Sequence, residues 1–349
     1  MPGRVAVILV NYREYAEEHL RECYESLVVQ SYPRSRWMLF VVDNASTAAT
    51  RHVIERLAPG AELVAQQDNL GWAGGNNVAI RRALQEGYDY VVLLNMDTVV
   101  EVHWLERLVE EADGRPDVQI LQSKLLLYGT ARVNSLGNRI QYLGYGYCHG
   151  YGQADGQPGL REPEFASGAT MLVKRAVFER IGLFRDEYFL YGEDLEFCWR
   201  ARLAGFRVGL AERSVCYHKY DFRKIQRALY YVERNRLTTL LTLERLSTIA
   251  VIFPCLALYG VGTLVYFTCR GWGRIPPQLL RYFLRPATWR TVIARRREIG
   301  RLRTVPDAAI VKRFSGRIVF AEIDHWAFRY LINPLLWAYW AIVRWLIVW

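Results

Sequence analysis

The sequence predicts an α/β fold: a mostly parallel sheet with helices on both faces, followed by a helical membrane-associating tail. Three observations predict it. Apolar runs of strand character alternate with amphipathic helical stretches up to residue 127. Several of those runs, such as Tyr90–Leu94, are apolar without interruption, as strands covered on both faces are. Beyond residue 246 the alternation gives way to long apolar segments and an arginine-rich block.

In chain order, the first run, 5–10, is a strand rather than a signal peptide, because it is short and lacks a small-residue cleavage site. A helix is expected over 14–29, a strand over 37–43 and a helix over 48–57. A short strand at 62–65 leads through a Gly-rich turn at 69–77 to a helix over 74–86. Then come the strand Tyr90–Leu94, a helix at 102–112 and a strand at 119–127. Residues 128–165, rich in Gly and Tyr, read as a long loop with a hairpin, whose rings either stack on sugar or sit in ordinary strands. A strand within 165–173, a helix to Ile181, a loop to Gly192 and a helix over 193–204 follow. Short strands at 206–210 and 215–217 precede a long helix over 222–245. These elements divide the chain into a catalytic domain, 1–246, and a hydrophobic, basic helical region, 247–349.

Composition narrows the class. The hydrophobic share is 52% and the aromatic share 13%, with 11 Trp and 22 Tyr, rings that favour membrane interfaces. The net charge of +10 is concentrated. Between Arg270 and Arg317 only Glu298 and Asp307 oppose a dense series of basic residues that includes Arg295, Arg296 and Arg297. Apolar, Trp-containing segments flank that block, which suits anionic lipid and argues against nucleic acid. The six cysteines show neither zinc spacing nor a disulfide framework.

Chemistry gathers where strands end. Asn11 closes the first strand, Asp43 and Asn44 the second, and Asn95 and Asp97 follow the fourth. With Asn69, Gly71 and Asn76 of the Gly-rich segment they form a polar sheet edge suited to a nucleotide, where a Gly lets backbone approach closely. A carboxylate such as Asp97 suits a divalent cation carrying phosphate oxygens. No Gly-x-Gly-x-x-Gly turn follows the first strand and no Gly-Lys-Ser/Thr closes 69–77, which argues against dinucleotide and P-loop folds. Glu193 and Asp194 open a helix; either they compensate its dipole or one is a general base tuned by neighbours such as Arg200. His218 ends a predicted strand that can return to Asp97.

The motifs ending at Asn11-Tyr12, Asp43-Asn44, Asn69 to Asn77, Asn95-Met96-Asp97-Thr98, Ser167-Gly168-Ala169, Tyr191-Gly192-Glu193-Asp194 and Arg234-Asn235 resemble those of family 2 glycosyltransferases. The nearest subgroup resembles the rhamnosyltransferases of bacterial surface polysaccharide synthesis, and the likeness spans about residues 4–246. It implies a GT-A fold and inverting transfer from a nucleotide sugar, with dTDP-rhamnose favoured and UDP-hexose or GDP-mannose as alternatives. It implies Asp43 on base or ribose, Mg²⁺ or Mn²⁺ on Asp97 with His218, and Asp194 as catalytic base. Ser167, Gly168, Glu193, Trp199 and Arg200 fall at acceptor or positioning places. Asn95 departs from the family's Asp-x-Asp motif and leaves fewer anionic ligands. A membrane-anchored binding or scaffold protein without activity is the competing class, disfavoured because Asp97 and Asp194 are both present.

A cytosolic nucleotide sugar and a basic block on the same side of the membrane conflict with a simple span at 248–268. The expectation is a monotopic enzyme on the cytoplasmic face of the bacterial inner membrane, with 248–268 either re-entrant near its glycines or lying in the interface with Pro254 as a kink. A lipid-linked saccharide is the expected acceptor, and the oligomeric state stays open.

Overall fold

The computed structural model describes residues 3–221, 228–319 and 326–349. The chain packs as two compact units. The first takes in residues up to 138, 148–201 and 206–220; the second takes in 139–147, 202–205 and 221–349.

The first unit is built on one nine-stranded mixed sheet. Strands β1 (Val5–Tyr12), β2 (Trp37–Asn44), β3 (Glu62–Ala65) and β4 (Tyr90–Leu94) run parallel, in the order β3-β2-β1-β4. β5 (Thr98–Val100), β6 (Ile120–Leu127), β10 (Thr170–Lys174) and β11 (Val208–His218) extend it as β4-β10-β6-β11-β5, with β7 (Val133–Ser135) beside β6. The strand order reverses at β1, so a crevice opens beyond its carboxyl end. β1 is fully buried through its centre, as its uninterrupted apolar run requires.

The helices show why their sequences bury one face. α1 (Tyr15–Val28) packs Ala16, Leu20, Cys23 and Leu27 inward, at helical spacing. α2 (Ala48–Leu57) starts at Thr47, whose hydroxyl and that of Thr50 cap the first turn reciprocally. α4 (Trp104–Gly114) buries Trp104, Leu105, Leu108, Val109 and Ala112. α3 spans Gly71–Gln85, so most of the segment expected as a Gly-rich turn is helix. Its small residues permit that: a Cβ at Gly75 would lie 2.9 Å from Asn44 Nδ2 and 3.0 Å from Val10 Cγ1. α5 (Arg175–Ile181) and α6 (Glu193–Leu203) follow β10.

Two further expectations change. The two short strands after α6 are one strand, β11, with an irregularity between Ala211 and Val215 that shifts its register against β6. The Gly/Tyr-rich stretch holds β7 and a hairpin of β8 (Asn138–Ile140) and β9 (Gly146–Cys148). All six cysteines are free thiols.

In the second unit, Tyr142 stacks on Trp340 at 4.6 Å, and Tyr145 bonds Glu233 and lies under the Arg236 guanidinium. Both rings serve packing, not sugar. The expected helix over 222–245 appears as α7 (Leu229–Leu243); 222–227 lie outside the described residues. α8 (Leu246–Cys269) is one unbroken helix containing Pro254, Gly260 and Gly262, which corrects the re-entrant alternative. Among the described residues it alone is long and apolar enough to cross a membrane, and little of it is buried. α9 (Ile275–Leu284), α10 (Pro286–Leu302) and α11 (Asp307–Val311) carry the basic block, and α12 (Asn333–Val343) lies in the Trp-rich end. Two of the block's cations are used internally: Arg296 reaches the carbonyls of Leu241 and Glu244, and Arg303 that of Leu243, satisfying the open end of α7.

Candidate active site

The site lies in the first unit, at the carboxyl edge of β1, β2 and β4. Asn11 and Asp43 are fully buried. Asn11 Nδ2 donates to Asp43 Oδ1 at 2.7 Å, and its Oδ1 accepts from Ala16 N at 2.8 Å, tying the end of β1 to α1. Thr50 Oγ1 donates to Asp43 Oδ2 at 2.6 Å. Asp43 therefore lies beneath the surface. A cavity of about 300 Å³ opens beside it, with Arg13, Ala45, Thr47 and Thr50 in its wall. Arg13 and Ala45 adopt left-handed backbone immediately after β1 and β2, a conformation that non-glycine residues hold only against strain.

Asp97 is buried just past β4. His218, at the end of β11, places Nε2 3.4 Å from Asp97 Oδ1. Its Nδ1 lies 2.9 Å from Asn134 Oδ1. With Nδ1–H on that amide oxygen, the neutral tautomer would turn an Nε2 lone pair toward the carboxylate. Two acceptors facing one another suit a cation between them, and a carboxylate oxygen with an imidazole nitrogen suits Mn²⁺ or Mg²⁺. Among the described residues no group of three or more His, Cys, Asp or Glu assembles around a point. Tyr15 of α1 also bonds Asp97, and burial with that negative charge pushes its phenol far up.

Asp194 lies in the first turn of α6. Its Oδ2 accepts from Gly168 N at 3.0 Å and its Oδ1 from Leu195 N at 2.8 Å. Burial raises its pKa, and those backbone donors oppose the rise. Glu193 beside it has Oε2 buried without a partner, and burial with the Asp194 charge raises it to about 8. Of the two, Asp194 ionises first, because its charged form is met by the N–H groups of Gly168 and Leu195 besides its own, whereas Glu193 has its own alone. The preceding loop is strained, with Phe189 and Tyr191 in left-handed backbone. Phe189 O accepts from the N–H groups of Trp72 and Ala73, binding that loop to the start of α3.

Other expected site residues fall differently. Asn69 Oδ1 accepts from Gly71 N at 2.9 Å, and Gly71 needs its positive φ of 69° to start α3. Asn76 is corrected: it is buried inside α3 and donates to Trp72 O, so it does not reach a donor. Arg200 is corrected as well. It is fully buried, bonds Glu196 and the carbonyls of Ile181 and Leu183, and does not tune Asp194. Trp199 is 1% exposed and belongs to the core. Ser167 accepts Ala169 N and donates its own N–H to Gln122. Sequence reasoning missed Tyr15, Thr50, Trp72 and Asn134, none of which stands at a strand end.

The sheet edge holds buried carboxylates past β2 and β4, a carboxylate–imidazole pair and a buried acid at the start of α6, in a fold of the GT-A type. The profile of glycosyl transferase family 2 matches residues 6–182, and the chain belongs to that family. It is 26% identical over 210 residues to the low-salt glycan biosynthesis hexosyltransferase Agl10 of Haloferax volcanii, covering 59% of this chain and 64% of that protein. It is 21% identical over 256 residues to the glycosyltransferase AglE of the same organism, covering 70% of this chain and 76% of the relative. Among solved structures, the mannosyltransferase PcManGT from Pyrobaculum calidifontis, in complex with GDP-Man and Mn²⁺, shares the fold. Its TM-score is 0.51 at 18% identity, over 100% of this chain and 88% of that one. GalNAc-T7 with UDP, GalNAc and Mn²⁺ gives 0.54 at 13% identity, over 69% and 48%. The chain therefore carries a family 2 glycosyl transferase domain, and it spans less than two thirds of the length of Agl10.

Proposed function

We propose that the chain is an inverting, metal-dependent hexosyltransferase that carries a sugar from a nucleotide donor to a lipid-linked or polysaccharide acceptor at the cytoplasmic face of the cell membrane. The observation that carries the chemistry is the split of roles at the sheet edge: Asp97 with His218 on one side, Asp194 held ionised by Gly168 and Leu195 on the other. A divalent cation, held by Asp97 and His218, would neutralise charge on the departing nucleoside diphosphate. Asp194 takes the proton of the acceptor hydroxyl while that oxygen bonds the anomeric carbon from the face opposite the leaving phosphate. The carbon–phosphate-oxygen bond breaks and configuration inverts. Glu193, protonated and buried, keeps a second charge away from Asp194.

The membrane part rests on α8. Phe253 is 58% and Leu258 74% exposed, surface that water disfavours. One stripe of the helix is packed: Cys255 meets Tyr142, Tyr259 meets Tyr145, and Val251 O accepts from Tyr339. The helices that follow α8 return to α7, which precedes it, through Tyr282 under Arg234 and through Arg303 on Leu243 O, which favours α8 lying in the interface plane.

A panel of dTDP-rhamnose, UDP-hexoses and GDP-mannose, each with a chelator and with Mg²⁺ or Mn²⁺, tests the reading. dTDP-rhamnose is favoured on motif likeness alone. One donor is expected to turn over, only with the ion present, and Asp194→Asn is expected to abolish transfer while donor binding persists. Full turnover after rigorous chelation, or near-normal turnover by Asp194→Asn, would overturn the mechanism.

A further inference from the structure

Trp72 of α3 sets the orientation of Asn95, the residue that replaces the first acid of the family's metal motif. Its indole Nε1 donates to Asn95 Oδ1 at 3.1 Å. An indole nitrogen can only donate, so the Asn95 atom facing it must be the carbonyl oxygen. The amide is planar, and Nδ2 therefore turns to the other side. No acceptor among the described residues takes it, and it is not sealed from solvent. The indole has little freedom to swing. Phe184 meets its ring edge-on at 5.4 Å, and Gly168 lies so close that a Cβ there would sit 2.7 Å from Cζ2. The backbone N–H of Trp72 is bound by Phe189 O at 2.7 Å.

We infer that Asn95 is a hydrogen-bond donor to an anionic oxygen of the donor's diphosphate, not a metal ligand, and that Trp72 is the positioning residue that holds its NH₂ outward. A carboxylate at 95 would present a second acceptor oxygen where the amide presents N–H groups, next to the existing charge of Asp97. The neutral amide avoids that repulsion and matches the phosphate. The inference rests on the nucleotide-sugar reading of this edge but not on Asp194 being the base.

The test is calorimetric titration of the full chain with dTDP, UDP and GDP, and with the matching nucleosides, in EDTA and in Mn²⁺. For the tightest diphosphate, Asn95→Asp and Asn95→Ala are expected to weaken binding about tenfold in EDTA, the scale of one lost charge-assisted hydrogen bond. Mn²⁺ should not reverse the loss, and nucleoside binding should stay unchanged. Trp72→Phe keeps the ring packing but removes the N–H. It should weaken diphosphate binding several-fold alone, and add little to Asn95→Ala. Tighter Mn²⁺-dependent binding by Asn95→Asp would make position 95 a metal ligand and overturn the inference. So would an equal loss for nucleosides, or additive effects of Trp72→Phe and Asn95→Ala. If Asn95→Asp does not fold, the Trp72→Phe and Asn95→Ala pair decides. Asp194→Asn, titrated alongside, should bind diphosphate like the wild type, which separates failure of this inference from failure of the base assignment.

Discussion

At the residue scale, the Glu193–Asp194 pair makes a signed prediction. Asp194 must be ionised to accept a proton, and burial raises it, so kcat should fall as pH drops, with a midpoint above the ordinary carboxylate range. Glu193, raised from 4.5 to about 8, binds its proton in the folded chain and not in the unfolded one between those values. Its contribution to stability is therefore full below the unfolded value and is lost as pH rises through about 8. Glu193→Gln mimics the protonated form. Its melting temperature relative to wild type should rise between pH 5 and pH 9, and the acid limb of its kcat profile should stay in place. Loss of all activity in Glu193→Gln would instead make Glu193 the base.

At the scale of elements, α3 shows how helix and loop fix each other. A Cβ at Gly71 would lie 2.4 Å from Phe189 O, in backbone with φ of 69°. Gly71→Ala should cost about 2 kcal/mol or more in urea unfolding. It should also weaken nucleoside diphosphate binding, because the next residue is Trp72. Gly60→Ala is the control: φ is 83° but nothing lies within 4 Å, so the cost is the backbone term alone, about 1–2 kcal/mol, with no effect on binding.

This element also marks where the sequence was legible. Strands β1 to β4 are plain because apolar runs are local signals, and Asn11, Asp43, Asp97 and Asp194 stand out because strand ends and helix starts are. The span 69–77 misleads because Gly71 answers a contact with Phe189, more than a hundred residues later, and Gly75 one with the ends of β1 and β2, which no local pattern contains. Arg200 looks like a site residue beside Asp194, yet the helix turns it toward Glu196 and into the core. Asn134 lies in a segment whose Gly and Tyr content hides a strand.

At the scale of the whole molecule, surface charge and exposed apolar area predict vesicle binding. The chain should float with vesicles containing anionic phospholipid and much less with zwitterionic ones. Salt should release part of the bound fraction, since each basic residue near the surface is worth about 1 kcal/mol. Exposed Arg281 and Arg285 are available for this, whereas Arg296 and Arg303 are committed to α7. Reversing the charge of Arg281 and Arg285 should erase the lipid preference and leave residual binding through α8. Equal binding to both vesicle types would remove the electrostatic reading.

The hairpin of β8 and β9 has one more consequence, and it concerns time. Tyr142 and Tyr145 leave the ribosome long before Glu233, Arg236 and Trp340, the side chains that cover them. Domains generally fold as they are synthesised, N-terminal parts first. For the interval in which some 90 to 200 further residues are added, the sheet can close while the tip of this hairpin, an early piece of the second unit, waits uncovered. A chain cut at 220 would keep that nascent state permanently, and one cut at 246 would leave Tyr142 without Trp340, so the helical tail doubles as the cover that ends it.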